Sequence, residues 1–298
     1  MGDRKSTFIP RKVRRVSEPH FPRQATLIVN PFASRVTEDR IRAVEAGLRP
    51  AETLLTERRG HATELAAGAG GDAVWVLGGD GLVNEVVNGL RPGIPLGVVP
   101  GGHTNVFARA LGLGLHGREE RLVSLGRVNG RRFTFAAGIG VDAETVRALE
   151  TGKRKQAGRR AGDAAYVREV GRRLLSGYEP RLQLPGFGRA SILLVSNGPV
   201  FTYLGRIPLR FSPQATWEGG LDLVAPERVR AWSVPRLLGR VALGRGLSDG
   251  HAVLSGHDLD RIEAICDSPT PLQADGEDLG DVTEVVFEAE RGAVSVLV

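Results

Sequence analysis

The sequence predicts an α/β N-terminal domain with a parallel sheet, followed by a β-rich, sandwich-like C-terminal domain. Apolar runs of strand length alternate with helix-period segments as far as Leu111. From about residue 128 an Asn129-Gly130 hairpin signal opens a stretch of short β-prone runs. The chain of 298 residues, 41% apolar, is long enough for two domains of ordinary size.

The first unit is a buried-type strand, Ala25 to Asn30, ending in Asn30-Pro31-Phe32-Ala33-Ser34, with a helix from Thr37 to Leu48. A short strand, Glu52 to Leu55, leads through Thr56 and Arg58-Arg59-Gly60-His61-Ala62 into a helix ending near Ala69. The centre of the chain is AVWVLGGDGLVNEVVN, residues 73–88. Ala73 to Leu77 are uninterruptedly apolar, Gly78-Gly79-Asp80-Gly81 turn, and Leu82, Val83, Val86, Val87 and Leu90 recur at helical spacing. A strand from Ile94 to Val99 runs into Pro100-Gly101-Gly102-His103-Thr104-Asn105, and Val106 to Leu111 is helical. Four strand-then-helix units collect their loops at one edge of a parallel sheet, the edge where such sheets bind ligands. The domain therefore reads as nucleotide-binding.

Glycines at a strand–helix junction let backbone N–H groups approach a phosphate, and the new helix points its positive end at the same place. Asp80 is out of place in a plain anion nest, because a carboxylate repels phosphate unless a divalent cation intervenes. It argues for chemistry with Mg²⁺. An isolated GGDG is equally consistent with an ordinary αβ turn; the rest of the chain separates the two.

The expected C-terminal strands are Phe133 to Ala137, Arg181 to Leu184, Ile192 to Ser196, Leu221 to Val224, His251 to Leu254, Asp260 to Ile265, Thr283 to Phe287 and Val294 to Val298. Helices are expected at Asp142 to Leu149, Arg160 to Leu175 and Val234 to Leu243. The predicted domains are a basic tail at 1–23, an α/β nucleotide-binding domain at 24–127 and a β-rich domain at 128–298. The last strand, or the segment Arg118 to Leu125, is a candidate to cross back to the first domain.

The net charge of +6 is unevenly spread. Residues 1–23 carry seven Lys/Arg against two acids and residues 151–173 eight against two, which leaves the remainder slightly acidic. Two basic segments, and not a nucleic-acid footprint over the whole fold, account for the charge. Lys153, Arg154, Lys155, Arg159 and Arg160 read singly as a solvated basic face; as a cluster, in an enzyme that takes its substrate from a bilayer, they would hold it against anionic lipid at about 1 kcal/mol per basic side chain. The single cysteine, Cys266, excludes an internal disulfide framework and a cysteine zinc site, and fits a reducing cytoplasm. None of the six histidines falls in a metal-ligand motif. No membrane span or signal peptide is legible, so a soluble or peripheral protein is expected.

In order, the motifs resemble the bacterial diacylglycerol kinase family, which shares its plan with sphingosine kinases and more distantly with NAD and phosphofructokinases. The resemblance is carried by Asn30-Pro31, Thr56 with Gly60-His61-Ala62, Gly78-Gly79-Asp80-Gly81-x-x-Asn84-Glu85 and Pro100-Gly101-Gly102-x-x-Asn105-x-Phe107-Ala108-Arg109. Gly138-Ile139-Gly140-x-Asp142-Ala143, Ser196-Asn197-Gly198, Glu218-Gly219-x-Leu221-Asp222 and Gln273-x-Asp275-Gly276-Glu277 follow. It implies an ATP- and Mg²⁺-dependent kinase that phosphorylates the hydroxyl of diacylglycerol, or of a related lipid alcohol, to give phosphatidic acid. ATP lies between the GGDG and Asn-Pro turns, with Asn30, Pro31, Ser34, Thr56, Gly78, Gly79, Asp80, Gly81, Asn84, Glu85, His103, Thr104 and Asn105 as candidate contacts. Asp275 matches the family's general base and Glu277 supports it, while related sphingosine kinases give the base role to the aspartate matching Asp80. Asp80 and Glu277 are candidate ligands of catalytic Mg²⁺, and Glu218 and Asp222 of a structural Mg²⁺. A homodimer is compatible with the reading, and no nucleic-acid partner is implied. With this resemblance, the expected location is cytoplasmic, peripheral to the inner face of the membrane.

The chain departs from the family at three places. Leu82 stands where threonine is common. Gly102-His103-Thr104-Asn105-Val106 replaces Gly-Thr-x-Asn-Asp, which removes an acid of the Mg²⁺ network, and Pro199 to Leu204 replaces a glycine-rich stretch. Two further readings therefore stay open: a kinase of soluble substrates of the NAD kinase type, and a nucleotide- or lipid-binding pseudokinase.

Overall fold

A computed structural model describes residues 24–155, 163–175, 177–247 and 252–298. The first lobe runs β1 (Ala25–Val29), α1 (Glu38–Leu48), β2 (Glu52–Leu55), α2 (His61–Gly68), β3 (Ala73–Gly78), α3 (Asp80–Gly89), β4 (Leu96–Pro100) and α4 (Val106–Leu111). The four strands are parallel, in the order β2-β1-β3-β4. Every residue of β1 and β3 is buried, as expected of apolar runs covered on both faces. Alternation within the runs sorts the side chains. Ile28, Val74 and Val76 pack with Val83, Val86 and Val87 of α3, whereas Leu27, Val29, Trp75 and Leu77 pack with Val44 and Leu48 of α1. Each such burial contributes about 1.5–3 kcal/mol. Trp75 lies flat against the backbone of Gly97, where an added Cβ would overlap the indole.

The strand-rich region continues as β5 (Glu120–Val128), β6 (Arg131–Phe133), β7 (Ala136–Ile139), α5 (Val141–Lys155), α6 (Asp163–Leu174), β8 (Leu182–Leu184), β9 (Gly188–Ala190), β10 (Leu193–Ser196), β11 (Thr202–Leu204) and β12 (Ile207–Leu209). It ends with β13 (Leu221–Pro226), a 3₁₀ turn at Ala231–Ser233, α7 (Val234–Ala242), β14 (Val253–Leu259), β15 (Arg261–Ala274) and β16 (Glu277–Leu297). Inner-face residues of β7, β10 and β13 meet those of β8, β15 and β16 in one core centred on Phe133, Ile139, Leu184, Leu223 and Phe287.

One mixed sheet of 14 strands joins both lobes. β16 is the connector: its start pairs antiparallel with β15, and near its end Val296 lies parallel to Leu96 of β4. β5 flanks it, with Val128 opposite Phe287 and Glu120 opposite Leu297. The strands expected at Thr283 to Phe287 and Val294 to Val298 are thus parts of one element, continuous across an irregularity between Glu290 and Val294. The strand expected at Asp260 to Ile265 extends to Ala274. The three-residue strands β9, β11 and β12 are too short to give a period-2 signal. Residues 1–23, with Arg159 and Arg160, lie outside the described residues, as do the side chains of Lys153, Arg154 and Lys155. Among the described residues no helix is long and apolar enough to cross a membrane.

Candidate active site

The carboxyl ends of β1, β3 and β4 face the DGE turn between β15 and β16 across a cavity of about 700 Å³. Its walls include Asn30, Phe32, Thr56, Arg58, Arg59, Gly79, Asp80, Gly81, Glu85, His103, Thr104, Asp275 and Glu277. Asp80 and Asp275, distant in sequence, therefore share one crevice.

The two glycine turns lie back to back. Gly101 N–H donates to the Gly78 carbonyl at 2.6 Å, and a Cβ on Gly102 would lie 2.5 Å from the Gly79 Cα. Close packing of one turn on the other explains Gly79 and Gly102, since neither has the positive φ that favours glycine. Gly81 differs: the nearest atom to a Cβ there is Glu277 Oε1 at 3.8 Å, so its missing side chain leaves cavity space. No side chain caps α3, and the first-turn amides of a helix have no intrahelical acceptor.

Asp80 spans the two turns. Its oxygens accept from the Val106 N–H at 2.9 Å and the Phe107 N–H at 3.1 Å, so it caps α4 from a neighbouring loop. Burial pushes its carboxyl up to about 6, against the pull of those two amides and of the Asn105 N–H and with a push from the Asp275 charge. Three donors leave this carboxylate lone-pair capacity for one more.

Asp275 sits at φ +49° and is 7% exposed. Oδ2 accepts from Asn84 Nδ2 at 2.8 Å, Thr134 N–H at 2.6 Å and Thr134 Oγ1 at 2.8 Å. Oδ1 accepts from the N–H groups of Phe135 at 3.0 Å and Ala136 at 3.2 Å. Burial raises its pKa, while the amides of Phe135 and Thr134, the Thr134 hydroxyl and Asn84 favour the anion. Five donors meet about four lone-pair sites, so this carboxylate has little capacity left for an incoming proton. Gln273 braces the turn, accepting from Gly276 N–H at 2.9 Å and donating to buried Asp142.

Several candidate contacts have other duties. Asn84 is buried and ties α3 to Asp275 and to the Arg132 carbonyl. Glu85 reaches the cavity but accepts from the Ala62 N–H at the start of α2. Asn105, at φ +51°, exchanges hydrogen bonds with Gly102 and braces its own turn. Pro31, Ser34, Gly78 and Asn105 do not line the cavity; Asn30, Thr56, His103 and Thr104 do. Phe32, 76% exposed on the cavity wall, carries a ring suited to stacking on a base, and sequence reasoning passed over it. Thr134 was missed as well, because its role exists only once β15 delivers Asp275.

Glu277 pairs with Arg131 and lies 3.9 Å from Arg59. Among the described residues no three acidic, histidine or cysteine side chains converge as a metal cage. Val106, where the family carries an acid, is buried in the core. Asp80 at the glycine turn and Glu277 at the DGE turn line the same cavity and fit an ion such as Mg²⁺, which needs only one or two protein carboxylates when phosphates supply the rest. Glu218 and Asp222, the expected ligands of a structural Mg²⁺, each have protein partners. Glu218 is paired with Arg121 at 2.6 Å, and buried Asp222 accepts from Ser212, from Asp258 N–H at 3.1 Å and faces His257 Nδ1 at 2.8 Å. The two acids point to different partners, and local donors already satisfy Asp222.

Residues 24–137 match the family model of the diacylglycerol kinase catalytic domain. This N-terminal segment is similar to the catalytic domain of the diacylglycerol kinases. A diacylglycerol kinase of Bacillus subtilis (strain 168) is 32% identical over 183 residues, 56% of this chain and 54% of that one. The chain thus spans about half the length of the curated relatives it matches. In fold the likeness is wider: a crystal structure of a diacylglycerol kinase from Bacillus anthracis str. Sterne superposes with a TM-score of 0.64 at 22% identity, over 92% of this chain and 96% of that one. Arg109 of the Phe-Ala-Arg motif does not line the cavity. Its guanidinium lies 3.6 Å from the Tyr203 ring centroid and donates to the Gly205 carbonyl at 2.9 Å, clamping the β11–β12 hairpin onto α4. That hairpin occupies the segment where the family's glycine-rich stretch is replaced. Behind it lies a second cavity, of about 210 Å³, walled by Leu174, Ile192, Leu194, Phe201, Leu209 and Val241 and almost wholly apolar.

Proposed function

We propose that the protein is an ATP-dependent lipid kinase that transfers the γ-phosphate to the hydroxyl of diacylglycerol or a related lipid alcohol, forming phosphatidic acid or its counterpart. The observation that carries the reading is the shared cavity, in which an uncapped glycine turn, an exposed aromatic ring and two carboxylates from opposite lobes meet. Phosphoryl transfer needs an in-line hydroxyl, a proton acceptor and neutralisation of charge on the β/γ oxygens. The open amides at the start of α3, with Gly81 giving room, receive phosphate oxygens, and Phe32 stacks on the base. Mg²⁺ carried with the nucleotide would be held by Glu277 across from Asp80, and neutralises charge on the phosphates when bound.

The two acids divide the work on hydrogen-bond capacity. Asp80, with lone-pair capacity left beside its three amide donors and a carboxyl raised to about 6, is the proton acceptor. Asp275, saturated by five donors, fixes the turn that brings Glu277 to the cavity. The apolar cavity beside β10 and α7 is suited to part of an acyl chain. Incubation with ATP, Mg²⁺ and a total lipid extract, with products identified by mass, is the test. A phosphorylated diacylglycerol is expected; NAD phosphorylated in preference to every lipid, or nucleotide binding with no transfer, would overturn the reading.

A further inference from the structure

α7 separates two cavities of opposite character. Its inner side, with Leu237 and Val241, faces the apolar cavity. On the outer side a groove of about 950 Å³ is walled by Arg189, Arg228, Arg230, Arg236, Arg240 and Trp232. From Arg228 to Leu247 the sequence holds five arginines and no acid. Arg228 is paired with Glu179 and Arg189 with Asp267, but Arg230 and Arg236 make no ion pair among the described residues. Beside them Trp232 is 74% exposed and Leu243 72%. A merely solvated face has no use for a tryptophan and a leucine set among guanidiniums that make no ion pair among the described residues. Guanidinium groups grip phosphate oxygens in bidentate fashion, and tryptophan with leucine on a basic helix settles in the headgroup layer of a bilayer.

We propose that the outer face of α7 and the turn before it, Arg228 to Leu243, is a docking surface for an anionic phospholipid bilayer. Trp232 and Leu243 enter the headgroup layer, and Arg230 and Arg236 meet lipid phosphates. The docked protein turns the apolar cavity toward the lipid from which substrate would come, and this clause alone rests on the lipid-kinase reading.

Trp232 reports on its own surroundings, since Trp75 and Trp217 are buried and give a constant background. Vesicles of phosphatidylglycerol in phosphatidylcholine are expected to shift its emission to the blue and to shield it from acrylamide; pure phosphatidylcholine vesicles and inorganic phosphate are not. Removing one arginine charge lowers partitioning about fivefold, so the double variant R230E/R236E binds the same vesicles at least about 25-fold more weakly, with unchanged near-ultraviolet dichroism. W232S sediments less with the vesicles and abolishes the shift. Sedimentation of the wild type with Trp232 still fully quenched, no sedimentation on any anionic vesicle, or an equal shift with inorganic phosphate or duplex DNA would each overturn the proposal. Transfer to a short-chain diacylglycerol dispersed as monomers separates the two readings. R230E/R236E keeps the wild-type rate there, and if neither protein turns over while docking holds, the kinase reading fails and the docking surface stands.

Discussion

Replacing Asp275 by asparagine puts an amide where the structure supplies only donors. If the new NH₂ group takes the place of Oδ1 it faces the N–H groups of Phe135 and Ala136, and if it takes the place of Oδ2 it faces Thr134 and Asn84. Either way at least two buried donors lose their acceptor. Each costs about 1–3 kcal/mol, so Asp275→Asn is expected to destabilise the fold by roughly 2–6 kcal/mol. In a chain of this size that lowers Tm by on the order of 10 °C. Thermal unfolding at pH 7.5, with and without ATP, reads the effect. A Tm within about 2 °C of wild type would refute the assignment of Asp275 as a structural anchor and return it to candidacy as the base. Loss of turnover in this variant therefore identifies no base unless the folded fraction is measured beside it.

Gly81→Ala introduces a Cβ whose nearest neighbour is Glu277 Oε1 at 3.8 Å; Tm should stay the same or rise slightly, because alanine favours the helix, while nucleotide titration shows weaker ATP binding. Asp80 ionises only above its raised value of about 6, so kcat/KM should fall on the acid side as pH drops through about 6, in a single-proton limb that Asp80→Asn removes. Gly97→Ala drives a methyl into the Trp75 indole and should cost about 1–3 kcal/mol in urea unfolding, with ATP affinity of the folded molecule unaltered.

The N-terminal lobe was legible because its strands are continuous apolar runs followed by helical periods, and β1, β3 and β4 stand where those runs predict. Long-range pairing was not. Nothing local announces that Val296 lies beside Leu96, or that Glu290 interrupts one strand and does not end it. The same holds within the site. The residue types of GGDG, Asn-Pro and DGE mark a phosphate site, and Asp80 and Asp275 do share a cavity. Their capacity to take a proton depends on donors from Thr134 to Ala136 and from Val106 and Phe107, which only tertiary packing supplies. Gly79 reads as a phosphate contact, yet much of its purpose is to let its turn touch that of Gly102. Glu218 and Asp222 read as metal ligands because spacing does not reveal that Arg121 and Ser212 already hold them.

The most direct test of the account is single-turnover transfer of labelled γ-phosphate from ATP to diacylglycerol by wild-type protein and Asp80→Asn, each shown to be folded and saturated with nucleotide. With Asp80 as proton acceptor the variant binds ATP and loses about 10²–10⁴-fold in the transfer rate. Undiminished transfer by folded, ATP-bound Asp80→Asn would contradict the account.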